Sequence, residues 1–204
     1  MVMESINDFF SKKMSAMEYP GVRLDNVVFK SLSDSDNMFL TSPFEEIEIK
    51  NSIWECGSGK SSGFDGVSFI FIKKHWEILK KDVVVAVQSF HSEGPIPRGC
   101  NASFITLMPK IDNPQVLDEY RPIALVGCIY KTLSKVLFIR IKKVIDKVIG
   151  VSQCAFPSQR GILDNVLVAN EVVDELKRKK GTGVIIKLAY EKAYDPVSWF
   201  SSSI

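Results

Sequence analysis

Two stretches of this chain repeat their large apolar residues at intervals of three and four, and that spacing constrains its 204 residues more than any other feature. In the first, Phe69, Ile72, Trp76 and Leu79 are followed by Val83, Val87 and Phe90, the rhythm of a helix with one buried stripe. Lys73, Lys74 and Lys80 fall on its wet side. The run Val83-Val84-Val85 favours a strand by propensity, but the spacing of the larger residues predicts helix. Gly94-Pro95 and Pro97 end it. The second and longest stretch lies beyond Arg121-Pro122, where Leu133, Val136, Leu137, Arg140, Val144, Ile145 and Val148 keep the helical period up to Gly150. A further helix is predicted from about Asp164 to Lys180, with Val166, Leu167, Val173 and Leu176 inward and Gly181 as its C-cap.

Between and around these helices lie shorter signals. Residues 102–108 are apolar and β-branched between Gly99 and Pro109, which predicts a strand. Lys110 to Asp118, with Asp112-Asn113-Pro114, reads as a turn or hairpin tip, and residues 123–126 are a candidate partner strand. Val184 to Tyr190 reads as a buried strand that needs a neighbour. Upstream, a short helix with Ile6, Phe9 and Phe10 leads through Tyr19-Pro20-Gly21 into a polar connector over 31–37. Thr41 and Ser42 before Pro43 and Glu45-Glu46 read as a helix start, with Ile47, Ile53 and Trp54 as its buried stripe and its end by Gly57. Residues 57–66 form a Gly- and Ser-rich loop holding Lys60 and Asp65. The fold class is therefore α+β, mostly helical.

Composition excludes more than it selects. A hydrophobic share of 46% is that of a globular chain, and no apolar run reaches the roughly 18 residues of a membrane span. Glu4 and Asp8 stand where a secretory signal needs apolar residues, so an intracellular location is expected, nuclear or cytoplasmic alike, with no membrane partner. The four cysteines, Cys56, Cys100, Cys128 and Cys154, are scattered and form no zinc pattern with His75 and His91, and buried thiols are expected. Neither histidine has a partner set for catalysis. A net charge of +2 means that any nucleic-acid footprint must come from local clusters of Lys and Arg.

Five segments, in order, carry a family resemblance. Lys60-Ser61-Ser62-Gly63-Phe64-Asp65-Gly66 is similar to a K-S-P-G-P-D-G loop, with Ser62 and Phe64 in place of the prolines. Leu107-Met108-Pro109-Lys110 and Tyr120-Arg121-Pro122-Ile123-Ala124-Leu125 resemble L-I-P-K and Y-R-P-I-S-L blocks. Gln153, Ala155, Phe156 and Arg160 match parts of a Q-x-A-F-x-x-G-R block, with Gln159 replacing its glycine. Lys187 to Asp195 resembles K-V-D-F-E-K-A-Y-D. Together they resemble the reverse transcriptases of plant LINE-type (non-LTR) retrotransposons.

The resemblance implies the fingers and the first palm strand of a right-hand polymerase, an N-terminal fragment of the whole domain. Residues 1–40 would be a linker with an upstream helix, 41–181 the fingers-like region, 182–199 the start of the palm, and 200–204 an unrelated tail. It also implies two-metal nucleotide transfer, for which carboxylates hold Mg²⁺. Ala189 stands at the first metal-holding aspartate and has no oxygen to offer, so no catalytic residue is intact and no metal or other cofactor is expected on this chain. Glu191, two strand residues on, would be displaced by roughly 6.6 Å, too far to substitute. Asp195 lies further still. The later paired aspartates of the family would follow Ile204, and inactivity is the expectation.

Lys110 and Arg121 are carried over as residues that lean toward the incoming triphosphate, with Arg160 beside them; a point charge and a planar fork both suit phosphate. The plain alternative is a solvated lysine and a structural arginine. Lys177-Arg178-Lys179-Lys180 offers phosphate contacts, a nuclear address or simply a solvated helix end that complements the dipole. The loop 57–66, through Lys60 and its amides, could follow an RNA backbone or merely connect two helices. Implied partners are an RNA template and a DNA primer, with no protein partner indicated. A non-catalytic RNA-binding module and a decayed product that does not fold alone are the competing readings.

Overall fold

The structure, a computed structural model, describes residues 2–14, 28–96, 99–150, 162–180 and Gly183. The chain divides into two units, one of Lys30–Pro114 with Glu119–Gly161 and one of Met1–Phe29, Gln115–Asp118 and Ile162–Ile204.

Among the described residues, the larger unit is built on five helices and a hairpin: α2 (Asp34–Thr41), α3 (Glu46–Glu55), α4 (Phe69–Lys74), α5 (Trp76–Glu93), β1 (Ser103–Pro109), β2 (Tyr120–Val126) and α6 (Cys128–Val148). Its core joins Phe44, Ile49 and Ile53 to Phe69, Ile72, Trp76, Val83 and Val87, and closes on Leu133 and Val136 of α6. The period expected over residues 69–90 holds, but as two helices: the chain breaks at His75, whose amide donates to the Phe71 carbonyl at 3.0 Å. Gly94 ends α5 at φ +82, a conformation that suits glycine because no Cβ meets the carbonyl.

Four local expectations are corrected. Residues 31–37 are not merely a connector, because Ser33 and Asp36 close a capping box that starts α2: Ser33 Oγ accepts from the Asp36 amide at 3.2 Å, and Asp36 Oδ2 accepts from the Ser33 amide at 3.3 Å. Thr41 ends that helix, with its Oγ1 donating to the Asn37 carbonyl, and so does not start α3, whose N-cap Glu45 makes no side-chain cap bond. On α3 the buried stripe is Ile49, Ser52 and Ile53; Ile47 and Trp54 are exposed, since α6 and α4 lie against the other face. Lys73 is not on a wet face but half-buried, its Nζ donating to the carbonyls of Trp54 (3.1 Å) and Cys56 (2.7 Å) at the C-terminal end of α3.

Arg140 is the largest departure. Its place in the apolar period is real, but a cation sits there, 2% exposed. Nε and Nη2 grip the two Glu48 oxygens, each at 2.7 Å, and the remaining N–H groups donate to the carbonyls of Leu40, Ser42 and Pro43. All five donors are satisfied, and the guanidinium lies 4.4 Å from the Phe44 ring centroid. Arg140 thus ties α6 to α3 and to the connection after α2. Two turns further, Lys147 reaches Asp36 at 2.6 Å, and together with the Ser33 hydrogen bonds holds that carboxyl below the usual carboxylate range.

The hairpin agrees with the strand and turn expected. β1 and β2 pair antiparallel from Ser103↔Val126 to Pro109↔Tyr120. A 3-10 turn at Leu117–Glu119 and a positive φ of 53° at Asn113 shape the connection. Cys56 and Cys128 are buried as expected, and Cys100 is half-buried. Burial, and the Asp65 charge beside it, push the Cys128 thiol up to about 11. Burial raises Cys56 as well.

In the smaller unit, α1 (Val2–Met14) buries Phe10, and α7 (Ile162–Arg178) is amphipathic. Val173 and Leu176 of α7 are half-buried, whereas Val166 and Leu167 are exposed and not inward. The expected strand over 184–190, Gly181 and Cys154 lie outside the described residues. Among the described residues, no helix is long and apolar enough to cross a membrane.

Candidate nucleic-acid interface

Strand pairing decides where two of the carried-over cations go. Met108 stands opposite Arg121, and the ladder continues one step beyond the strands, where the Lys110 amide donates to the Glu119 carbonyl at 2.7 Å. Side chains alternate along a strand, so 108 and 110 share a face with 121 and 119. Lys110 and Arg121 are therefore diagonal neighbours on one face of the hairpin tip, a relation that places Cβ atoms roughly 7 Å apart. Both side chains are exposed. Sequence alone left them eleven positions apart; the turn brings them together.

Lys60 belongs to a different end of the same ribbon. Its loop meets the base of the hairpin, where Phe64 packs edge-on against Phe104 with ring centroids 6.5 Å apart. From Val126 at that base to Arg121 is five residues, roughly 17 Å at ~3.3 Å per residue. Lys60 and the Lys110–Arg121 pair are thus separate stations, not one cluster. The loop is no slack connector either: Lys131 Nζ donates to the Ser61 carbonyl at 2.9 Å and Asp65 Oδ2 accepts from the Cys128 amide at 2.7 Å.

Lys177 and Arg178 end α7 in the smaller unit and Lys179 and Lys180 form the turn after it, all exposed. Lys179 pairs with Glu175 at 2.6 Å, one helical turn back. Cations there complement the helix dipole whatever else they bind. Arg160 and Ala189 lie outside the described residues. Among the described residues, no group of three His, Cys, Asp or Glu side chains could hold a metal ion. Ala189, where the resemblance implies a metal-holding aspartate, has a methyl side chain with no lone pair to give a Mg²⁺ ion.

Residues 108–203 match the family described as reverse transcriptase (RNA-dependent DNA polymerase). That stretch is similar to the reverse-transcriptase family. A Xenopus laevis protein, the transposon TX1 uncharacterized 149 kDa protein, is 27% identical over 158 residues, which is 78% of this chain. The chain spans 12% of the length of that relative. The two likenesses are thus to a reverse-transcriptase family and to a transposon protein. The reverse-transcriptase match opens at Met108, just ahead of Lys110, and takes in Arg121 and Ala189.

Sequence reasoning missed three structural contacts: those of Arg140, of Lys73 and of the Asp65–Cys128 pair. The first had a readable signal, a charged residue on an otherwise apolar period. The other two had none, because their partners are 15 or more residues away and are brought close only by the chain path.

Proposed function

We propose that this chain supplies the fingers and the first palm strand of a plant LINE-type reverse transcriptase, and that its hairpin tip faces the template and incoming nucleotide. The observation that carries the reading is the placement of Lys110 and Arg121 as diagonal neighbours at the tip. A compact ammonium beside a planar guanidinium can share one polyphosphate, the first as a point charge and the second by paired N–H donors. Arg160, the Lys60 loop and the Lys177–Lys180 run would add phosphate contacts along the strand. The template would be RNA and the primer DNA.

In this reading the chain holds nucleic acid and does not extend it. Mg²⁺, when bound in such polymerases, activates the attacking hydroxyl and steadies the leaving pyrophosphate. Ala189 gives it no ligand on the first palm strand, so no step is assigned to it here.

The test is binding of a structured RNA at low and raised salt. The wild-type chain should bind with steep salt dependence, and Lys110→Ala with Arg121→Ala should weaken binding and flatten the salt slope by about two. Affinity that ignores both substitutions would refute the interface. Primer extension with Mg²⁺ or Mn²⁺ should be absent, and measurable extension by the wild-type chain would refute the proposed inactivity.

A further inference from the structure

We infer that Asp65 is a positioning residue: with Gly63 it latches the loop 57–66 to the base of the hairpin, and so sets the direction in which Lys110 and Arg121 are presented. The positioning role rests on the nucleic-acid reading of the hairpin; the latch stands on geometry alone.

Both carboxylate oxygens of Asp65 are committed. Oδ1 accepts from the Val67 amide at 3.1 Å, within the loop, and Oδ2 accepts from the Cys128 amide at 2.7 Å, across 63 positions of sequence. Cys128 opens α6, whose own N-cap is Gly127, a residue with no side chain to cap with. The first turn of α6 therefore takes its acceptor from Asp65, a negative charge at the positive end of the helix dipole. Two glycines make the approach possible. A Cβ at Gly63 would collide with the Val126 carbonyl, and one at Gly127 would stand 2.8 Å from Asp65 Oδ2.

Further bonds tie the same two segments. Lys131 reaches the Ser61 carbonyl at 2.9 Å, and the Cys128 thiol donates to the Val67 carbonyl at 3.0 Å. Residues 61–67 are thus fastened to 126–131. Val126 is the last residue of β2, and Gly127 alone separates it from α6. Unlatched, the hairpin would pivot at that glycine. Over the roughly 17 Å from base to tip, a tilt of ~15° moves Arg121 by about 4 Å, more than a hydrogen bond tolerates.

Asparagine cannot replace Asp65, because it has one acceptor oxygen for two amides and would turn an NH₂ toward the second. That contrast supplies the test. In the full chain, Asp65→Asn and wild type are alkylated with N-ethylmaleimide and the extent is read at each cysteine by peptide mass spectrometry. Cys56, also buried, reports global opening. With each rate divided by the thiolate fraction read from its own pH profile, which removes the direct effect of the Asp65 charge on the thiol, Asp65→Asn should raise the Cys128 rate about tenfold, the effect of losing a charged hydrogen bond, with Cys56 changed less than about twofold. An unchanged Cys128 rate, or equal rises at both thiols, would overturn the latch.

Binding to a short RNA stem-loop then tests positioning. Asp65→Asn should lower affinity about threefold to tenfold and flatten the salt slope by about one, and adding it to Arg121→Ala should weaken binding little further. Reactive Cys128 with unchanged RNA affinity would overturn the positioning role while leaving the latch. If wild type binds no RNA, the reading of the hairpin fails and takes the positioning role with it, and the alkylation rates still decide the latch.

Discussion

In the helical body, a guanidinium 2% exposed has every donor matched, and Ile49, Val87 and Val136 are fully excluded from solvent. In the hairpin, Phe104 on one face is 63% exposed and Ile105 on the other is 52% exposed. A two-stranded ribbon of that kind is marginal by itself. The body is held from within, by packing and by charges whose partners are aimed inward. The hairpin is held at one end, by a loop fastened to its base, and carries its cations at the other. Tight packing and exposed charge are thus placed in different parts of the chain.

The sharpest way to break this contrast is at Arg140. Arg140→Ala leaves Glu48 facing a cavity without its cation and strips three carbonyls of donors, so a loss of about 3–5 kcal/mol is expected by urea denaturation. A midpoint near wild type would show that the body is not organised around that residue. Ile53→Ala, a cavity in the same core, should cost about 2–5 kcal/mol. Ile105→Ala, in the hairpin, should stay within about 1 kcal/mol, and a cost equal to that at Ile53 would erase the distinction between the two regions.

Titration sharpens the comparison with smaller effects. The folded chain holds the Asp36 carboxyl low through Lys147 and Ser33. Its contribution is complete above the unfolded value of roughly 3.9 and is lost as pH falls through the lower folded value. Lys147→Ala should therefore flatten the acid limb of the stability curve below about pH 4. At the alkaline end the sign reverses. Cys128 stays a thiol up to about 11 in the folded chain, whereas the unfolded chain ionises near 8.5. The unfolded state sheds its proton first, so stability should fall between those values, and Cys128→Ser should reduce that fall. An unaltered alkaline limb would mean that Cys128 is open to solvent.

Much of the body was legible because helices repeat. The stripe from Phe69 to Phe90 named its own buried residues, and the turn chemistry of Asp112-Asn113-Pro114 located the hairpin. Failures came where a short local pattern had two uses. Thr41 and Ser42 carry the residue types of a helix start, yet they close the preceding helix, because Ser33 and Asp36 had already opened one. For the candidate site, Lys110 and Arg121 were visible from their blocks, while their shared face followed from strand register.

Side-chain identity alone settled which segments could be helices and strands, and that position 189 offers no oxygen to a metal. Only the tertiary structure decided that Arg140 turns into the core toward Glu48, and that Asp65 caps a helix beginning 63 residues later. Periodicity is a property of neighbours along the chain and can be read there. A hydrogen bond between distant residues depends on the path of the backbone between them, which no local pattern encodes.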